Sequence, residues 1–454
     1  MEGPTVAIAT LGCKVNQAES DAYAQRFSDA GFRLVPAEEG ADVCVVNSCT
    51  VTNVGDQKSR QLIQRLRRAN PDSLLAVTGC YAAVAPEQVE RLTGADLVAG
   101  LAQKDELVEL VSERLIERGV RVPRVPSPSL ALRGGRGTTL LRATPRTRLN
   151  VKVQDGCNDF CAFCIVPFSR GRARSLPLDV VVRQVDRAVC EGYQEVVLTG
   201  VNMTTYGRDS GSDFGRLLEA VLERTAIRRV RLSSIEPFKF DTAWLPLWSS
   251  GRLCRHLHLP LQSGCDATLR RMRRRYDTTG FARLVDSARE RVPGMAIWTD
   301  VIAGFPGETD EEFEDCFRFI ERMDFAGIHV FRYSPRTGTK AASLDGRVRD
   351  GVKKERSERL LRLSEAGKRR FAGGLAGSVQ QVLFEEPDFG LSDTYVRVHA
   401  AGGEPNTFAR VRITGLAEEG ATGELSPTRT ASPTRSPTRT ASPTRSPTRT
   451  ASRG

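Results

Sequence analysis

The 454-residue sequence has no apolar segment of the roughly 20 residues that a membrane-spanning helix needs. Its first residues also lack the charged start, apolar run and small-residue cleavage site of a secretory signal. We therefore expect no membrane association and a cytoplasmic location, where thiols stay reduced. The eleven cysteines are odd in number, so clustered cysteines favour metal ligation or catalysis over a disulfide framework.

Histidine is scarce, and none of the four lies near the stretch QDGCNDFCAFCIVPFSRGRARS at 154–175. This stretch places Cys157, Cys161 and Cys164 in C-x3-C-x2-C spacing without a fourth ligand. Thiolates select zinc or iron–sulfur clusters, but a structural zinc site needs a closed set of four ligands. Three cysteines therefore favour a cubane cluster with one open iron, and zinc is the alternative.

Acidic residues are absent from residues 426–454, where the unit SPTRTASPTR repeats. Six arginines of this segment account for more than half of the net charge of +11. The remaining surplus is weak, so it permits nucleic-acid binding without requiring it. Because the repeat has almost no apolar side chains, it predicts a disordered tail.

Hydrophobic patterning predicts an α/β protein with three folded regions. In the first region, short apolar runs alternate with amphipathic helical segments, which indicates βαβ units on a parallel sheet. The second predicts six strand–helix pairs in a partial (β/α)6 barrel, with polar loops at the C-terminal ends of the strands. The third, with strands at VQQVLFE, TYVRVHA and TFARVRITGL, predicts a small antiparallel β-barrel. The expected boundaries are 4–120, 148–370 and 371–425 for the domains, 121–147 for a linker and 426–454 for the tail.

A second set of three cysteines lies in the first region. Cys13 in TLGCKVNQ, Cys49 in VVNSCTVT and Cys80 in VTGCYA each follow the end of a predicted strand. A single such cysteine would be interpreted as a small buried residue. Three at equivalent strand ends of one parallel sheet favour ligation in one crevice. The remaining cysteines favour packing roles: Cys44, Cys190, Cys254, Cys265 and Cys316.

The C-x3-C-x2-C loop, with Phe163 before its last cysteine, resembles the loop of radical S-adenosylmethionine (SAM) enzymes. With the second cysteine set and the C-terminal barrel, residues 4–425 resemble the methylthiotransferase family. The resemblance implies two 4Fe-4S clusters and SAM as cofactors, and a C-terminal TRAM domain that binds RNA. It also implies that the first set (Cys157, Cys161, Cys164) is catalytic and holds the cluster that binds SAM, and that the second (Cys13, Cys49, Cys80) holds an auxiliary cluster.

The wording TLGCKVNQAES, NSCTVTN and VKVQDGCNDFCAFCIVPFSRGRARS resembles the bacterial branch of the family that modifies N6-threonylcarbamoyladenosine beside the tRNA anticodon. That branch implies conversion of the base at position 37 to its 2-methylthio derivative. Two alternatives remain: a methylthiotransferase for isopentenyladenosine tRNA or a ribosomal protein, and a non-catalytic, zinc-holding RNA-binding protein. Ala83 departs from the family pattern, in which glutamine is frequent, and this departure has no explanation.

Polar loops at the barrel strand ends favour SAM contacts, although each loop alone is an ordinary βα turn. With Phe163, the candidates are Gly200, Asn202, Ser233, Ser234, Glu236, Gln262 and Gly304. The stretches SRGRARS and LRRMRRRY favour contacts with RNA phosphates, although charge runs are more often solvated helix faces. The candidates are Arg170, Arg172, Arg174, Arg270 and Arg274, with Tyr395, Arg397 and Phe408 as further contacts on the C-terminal barrel.

The expected partners follow from the same resemblance. They are the anticodon stem-loop of tRNA, a low-potential electron donor and a sulfur source. The latter two have no identity in the sequence, and the chain is expected to be a monomer.

Overall fold

A computed structural model describes residues 3–123 and 147–426. The strands are β1 (Thr5–Thr10), β2 (Arg33–Leu34), β3 (Val43–Ser48), β4 (Leu74–Gly79), β5 (Leu97–Val98), β6 (Arg148–Asp155), β7 (Arg174–Ser175), β8 (Glu195–Gly200), β9 (Arg229–Leu232), β10 (His256–His258), β11 (Ala296–Ala303), β12 (Gly327–Arg332), β13 (Val379–Glu386), β14 (Phe389–Ser392), β15 (Arg397–His399), β16 (Phe408–Leu416) and β17 (Ala421–Leu425). The helices are α1 (Lys14–Asp29), α2 (Asn53–Ala69), α3 (Cys80–Val84), α4 (Pro86–Thr93), α5 (Leu107–Glu117), α6 (Val166–Arg170), α7 (Leu178–Cys190), α8 (Phe214–Arg224), α9 (Asp266–Arg271), α10 (Thr278–Arg291), α11 (Asp310–Met323) and α12 (Asp350–Gly373).

Two sequence predictions fall largely outside these residues. The predicted linker at 121–147 is described only at its two ends, and the predicted tail at 426–454 only at its first residue. Among the described helices, none combines the length and the apolar character needed to cross a membrane.

The N-terminal sheet has the order β2-β1-β3-β4-β5, and its strands pair in parallel, as the alternating pattern predicts. Every residue of β3 is buried, because helices cover both faces of the sheet. Val45 packs on the face that contains Phe27 and Val111, whereas Val46 packs on the face that contains Ile63. The edge strand β2 was not predicted, since two residues are too few to show a periodicity.

The central region contains six parallel strands. β6, β8 and β9 form one sheet and β10, β11 and β12 another. Single parallel bridges, Ser234 with His258 and Val230 with Leu253, connect the two sheets. The strands therefore curve into the partial (β/α)6 barrel expected from the sequence. The two-residue strand β7 pairs antiparallel with β6 and was not predicted.

The C-terminal region is a closed barrel in the order β13-β14-β15-β17-β16. The prediction of a purely antiparallel barrel is wrong in one detail, because β15 and β17 pair in parallel. The sequence analysis also missed β14 and β17. Both are short and contain glycine, so they lack the alternation that identifies a half-buried strand.

An ion network fastens this barrel to the central region. Buried Glu195 pairs with Arg229 and with Arg231, at 2.8 Å for the latter. The two guanidinium groups also donate to the carbonyl oxygens of Leu391 and Ser392, each at 3.0 Å. Two guanidiniums thus satisfy one buried carboxylate and two carbonyls across the domain contact.

The same contact uses two aromatic residues that the sequence suggested for RNA. The Tyr395 ring stacks on His256 at 4.6 Å, and the Arg228 guanidinium lies 4.5 Å from the centre of the Phe408 ring. Because both rings pack against the central region, the structure contradicts their role as free stacking platforms. Arg397 is exposed beside Glu386 and Glu419.

Candidate active site

The N-terminal cysteines meet at one edge of the sheet. Cys13 follows β1, Cys49 follows β3 and Cys80 follows β4, and these three strands are neighbours. Two glycines permit the close approach of the loops. A Cβ on Gly12 would lie 3.2 Å from the Cβ of Cys49, and a Cβ on Gly79, whose φ is +92°, would lie 2.4 Å from a backbone oxygen of β3.

Burial affects the protonation of two of these thiols, Cys49 and Cys80. It raises the pKa of Cys49, and it raises the pKa of Cys80 to about 11, with the neighbouring thiols of the trio adding to the effect. The Arg170 guanidinium opposes the shift at both positions. A metal centre that replaces the proton would therefore find one positive charge already in place beside the trio.

Arg170 was predicted to contact RNA, and the structure contradicts this. The residue is only 3% exposed. Its guanidinium donates to Glu19 at 3.0 and 3.1 Å, to Asp155 at 3.1 Å and to the Asn16 side-chain oxygen at 3.1 Å. Since Asn16 also contacts the Cys13 thiol at 3.2 Å, Arg170 belongs to the cysteine crevice.

The same network reaches the loop that carries Cys157, Cys161 and Cys164. Asp155 ends β6, and Gly156 and Cys157 follow it directly. A Cβ on Gly156, whose φ is +70°, would lie 2.0 Å from the carbonyl oxygen of Arg172, so only glycine fits this turn. The Cys157 amide donates to Gly171 at 3.1 Å, which closes the loop.

Polar side chains hold the loop from inside the barrel. The Asn202 amide nitrogen donates to Asp159 at 2.6 Å and lies 3.6 Å from the Cys157 sulfur. Lys239 pairs with the same aspartate at 2.6 Å. Gln154 accepts a hydrogen bond from the Asn202 backbone at 2.7 Å. Sequence reasoning found Asn202 but missed Asp159, although it stands inside the motif CNDFC, and missed Lys239, which no local pattern marks.

Arg274 lies beside the other ligands of this loop. Its side chain is 4% exposed, donates to the Cys161 sulfur at 3.2 Å and pairs with Glu236. Burial raises the pKa of Cys161, and Arg274 counteracts that shift. Burial raises the pKa of Cys164 to about 12. The RNA contact predicted for Arg274 is therefore wrong, because the guanidinium is buried at the thiols.

The remaining candidates for SAM contact lie at the strand ends with different surroundings. Gly200 packs closely against Gln154, and Ser233 is buried with its hydroxyl 3.7 Å from the Met203 sulfur. Gln262 has a φ of +71°, a left-handed conformation that is uncommon for a residue other than glycine. Phe163 packs against the group of buried apolar side chains that contains Phe305.

Gly304 and Ser234 are already engaged within the protein. Gly304 donates to Glu308 at 2.8 Å, and the Lys353 side chain fills the space where its Cβ would lie. Ser234 bonds His258 at 2.8 Å, which begins a chain of polar contacts through Asp300 to His329. The SAM contacts at all these positions stay predictions.

A cavity of about 830 Å³ opens beside the loop that carries Cys157, Cys161 and Cys164. Cys161 and Cys164 line it, together with Asn53, which lies four positions after Cys49. Phe160 and Phe168 meet edge to face at 6.0 Å on its wall, and both are about half exposed. None of the residues predicted to bind SAM lines this cavity.

The spacing of the sulfur atoms bears on whether each trio holds zinc or an iron–sulfur cluster. In a tetrahedral zinc site, Zn–S bonds of about 2.3 Å place the sulfurs about 3.8 Å apart. Across residues 3–123 and 147–426, the one group of three ligand atoms within 4.8 Å of one another is His258, Asp300 and His329. Neither cysteine trio is that compact, whereas thiolates on separate iron atoms of a cluster lie farther apart. Neither trio therefore has the compact geometry of a closed zinc site, and three thiols without a fourth ligand are a donor set that iron–sulfur clusters accept.

Comparison with known proteins identifies two parts of the chain. Residues 5–100 match the uncharacterized protein family UPF0004, and residues 151–320 match the radical SAM superfamily. The threonylcarbamoyladenosine tRNA methylthiotransferase MtaB of Bacillus subtilis (strain 168) is 39% identical over 416 residues, which cover 88% of this chain and 91% of that protein. The chain belongs to the radical SAM methylthiotransferase family.

A second relative by sequence and a solved structure are consistent with this family membership. The tRNA-2-methylthio-N(6)-dimethylallyladenosine synthase of Moorella thermoacetica is 34% identical and covers 84% of this chain and 87% of that protein. The radical SAM methyltransferase TsrM of Kitasatospora setae, solved with cobalamin and a 4Fe-4S cluster, shares the fold. Its TM-score is 0.55 at 18% identity, over 75% of this chain and 77% of that one.

Membership in this family identifies the cofactors of the chain. The methylthiotransferase uses SAM and 4Fe-4S clusters, and the UPF0004 region fits the second cluster. Each cysteine trio has one buried arginine, Arg170 or Arg274, that can balance the negative charge of cluster thiolates. Of the arginines predicted to bind RNA, the exposed ones are Arg172, Arg174 and Arg270.

Proposed function

We propose that this methylthiotransferase modifies tRNA, converting N6-threonylcarbamoyladenosine at position 37, 3′ of the anticodon, to its 2-methylthio derivative. The Bacillus relative named for threonylcarbamoyladenosine is 39% identical, and the Moorella relative named for dimethylallyladenosine is 34% identical. The difference favours the first substrate. Dimethylallyladenosine, the isopentenyl substrate of the first alternative, is the second candidate.

One observation carries the proposal. The buried network of Arg170, Glu19 and Asp155 joins the crevice of Cys13, Cys49 and Cys80 to the strand that leads into Cys157. This connection supports assigning the two thiol trios to one site. We propose that Cys157, Cys161 and Cys164 hold the cluster that binds SAM, and that Cys13, Cys49 and Cys80 hold the auxiliary cluster.

The residues of the chain position and shield these groups. When bound, the clusters and SAM supply the radical and the methylthio group that insertion at an adenine C2–H requires. Asn202 and Lys239 fix Asp159 beside Cys157, and Arg274 holds Glu236 beside Cys161. These paired side chains are largely buried, and charge–charge contacts are stronger in a low-dielectric interior than in water.

The RNA would approach over the exposed side of this loop. Arg172, Arg174 and Arg270 offer phosphate contacts there, with an affinity that falls as salt rises. The exposed pair Phe160 and Phe168 offers aromatic faces on which unpaired bases stack. We propose 4–120, 148–370 and 371–425 as the domains that bring the auxiliary cluster, the radical chemistry and a further RNA contact to the substrate.

The test is a single-turnover assay with the full chain reconstituted anaerobically. The enzyme, SAM and a reductant are mixed with anticodon stem-loops that carry either threonylcarbamoyladenosine or dimethylallyladenosine. Mass spectrometry of the nucleosides should show the methylthio group on the first substrate. Intact threonylcarbamoyladenosine with enzyme that holds about eight irons per chain, the content of two 4Fe-4S clusters, would refute the proposal.

A further inference from the structure

The amino ends of the barrel strands form a basic floor, defined by Arg148, Glu195, Arg231 and Tyr395. Arg148 and Glu195 are the first residues of β6 and β8. Tyr395 enters from the C-terminal barrel, and the Arg231 guanidinium lies 5.1 Å from the centre of its ring. Tyr395 has a φ of +67°, which is strained for a bulky side chain. Such strain persists where the surrounding contacts over-determine a conformation, and it is frequent at binding sites.

Lys14 extends from the auxiliary trio to this floor. It directly follows Cys13, and its ammonium lies 5.9 Å from the centre of the Tyr395 ring. The Arg231 guanidinium lies 5.1 Å from the centre of the same ring, so Lys14 and Arg231 are two cations around one aromatic side chain. Consecutive Cα atoms are about 3.8 Å apart, so one point of the chain presents both a proposed cluster ligand and an ammonium group.

The floor has more cations than carboxylates to pair with them. Glu195 is held by Arg229 and Arg231, and Arg148 pairs with Glu385 at 2.7 Å. In the described part of the chain, no carboxylate lies within ion-pair distance of the Lys14 ammonium. A partly buried cation among other cations is unfavourable until an anion joins it. The floor is therefore complementary to a negatively charged group.

We propose that Lys14 binds the carboxylate of the amino-acid substituent on N6 of the substrate adenine. This inference rests on the proposed function. The threonylcarbamoyl group ends in a carboxylate, whereas the dimethylallyl group is a hydrocarbon. A lone ammonium at the floor attracts the first and disfavours the second, since a hydrocarbon would bury the charge without a partner. Lys14 is thus a specificity-determining residue.

The experiment compares two substrates on each enzyme preparation. One stem-loop carries threonylcarbamoyladenosine, and the other carries the same nucleoside with its carboxylate converted to a primary amide. The variants are Lys14→Met, which removes the charge, Lys14→Arg, which keeps it, and Lys58→Met as the matched control, since Lys58 is exposed on α2. The ratio of kcat/KM for acid and amide is measured, because a partly inactive preparation lowers both values and leaves the ratio unchanged.

The wild type and Lys58→Met should prefer the acid by at least about tenfold, and Lys14→Arg should keep most of that preference. Lys14→Met should lower the ratio by about tenfold or more, which corresponds to about 1.4 kcal/mol. Iron content and the cluster absorption spectrum should match the wild type. A wild-type ratio in Lys14→Met overturns the inference, whatever the iron content of the variant. Failure of the wild type on both substrates overturns the proposed function as well.

Discussion

Replacement of Arg170 by methionine tests whether the buried network, rather than RNA contact, explains this residue. Methionine keeps most of the side-chain volume but removes the guanidinium. The change deletes the hydrogen bonds to Glu19, Asp155 and Asn16. Removal of one partner from a buried ion pair destabilises proteins by about 3–5 kcal/mol, because the remaining charge loses its compensation.

The surrounding lysines set the expected size of the effect. Lys104 pairs with Glu19 at 3.2 Å and with Asp155 at 2.7 Å, and Lys152 lies 3.0 Å from Glu19. Burial alone would raise the pKa of Glu19, but Lys152, Arg170 and Lys104 together lower it to about 2. Because two of the three cations remain in the variant, we expect the lower end of the range, about 3 kcal/mol.

The measurement is unfolding of the iron-free chain in guanidinium chloride at pH 7, followed by far-UV circular dichroism. Arg174→Met is the matched control: Arg174 approaches the same Asp155 at 3.8 Å, but its side chain is 53% exposed. An exposed pair contributes about 0–1 kcal/mol, so the control should unfold like the wild type. A change below about 1 kcal/mol in Arg170→Met, or an equal change in both variants, would refute the reasoning.

Two further predictions concern the trio and the domain contact. Cys80→Ala should reduce the iron content from about eight to about four per chain, whereas Cys44→Ala, inside β3, should keep about eight; equal iron in both variants would contradict the ligand assignment. Burial by itself raises the pKa of Glu195, but Arg229 and Arg231 lower it to about 2. The depressed pKa means that this carboxylate stabilises the fold above the unfolded value of about 4.3 and loses the effect as the pH falls toward 2. Tryptophan fluorescence should therefore show a smaller acid-induced loss of stability between these pH values in Glu195→Gln, and coincident curves would argue against it.

The sequence by itself determined the features that depend on neighbours along the chain. The spacing of Cys157, Cys161 and Cys164 is local, because one loop carries all three. The strand-end positions of the other trio followed from alternating apolar and polar segments, since a parallel sheet aligns the carboxyl ends of its strands at one edge. These patterns were enough for the layered architecture, the cysteine sets and the family.

Only the tertiary structure decided what each charged side chain does. Arg170 and Arg172 stand two positions apart in one basic stretch, yet the first is buried and the second is exposed. The carboxylate that binds Arg170, Glu19, lies 151 positions away, and the thiol that contacts Arg274, Cys161, lies 113 positions away. The free energy of a charge depends on its burial and on its partners, and both are set by segments that are distant in sequence.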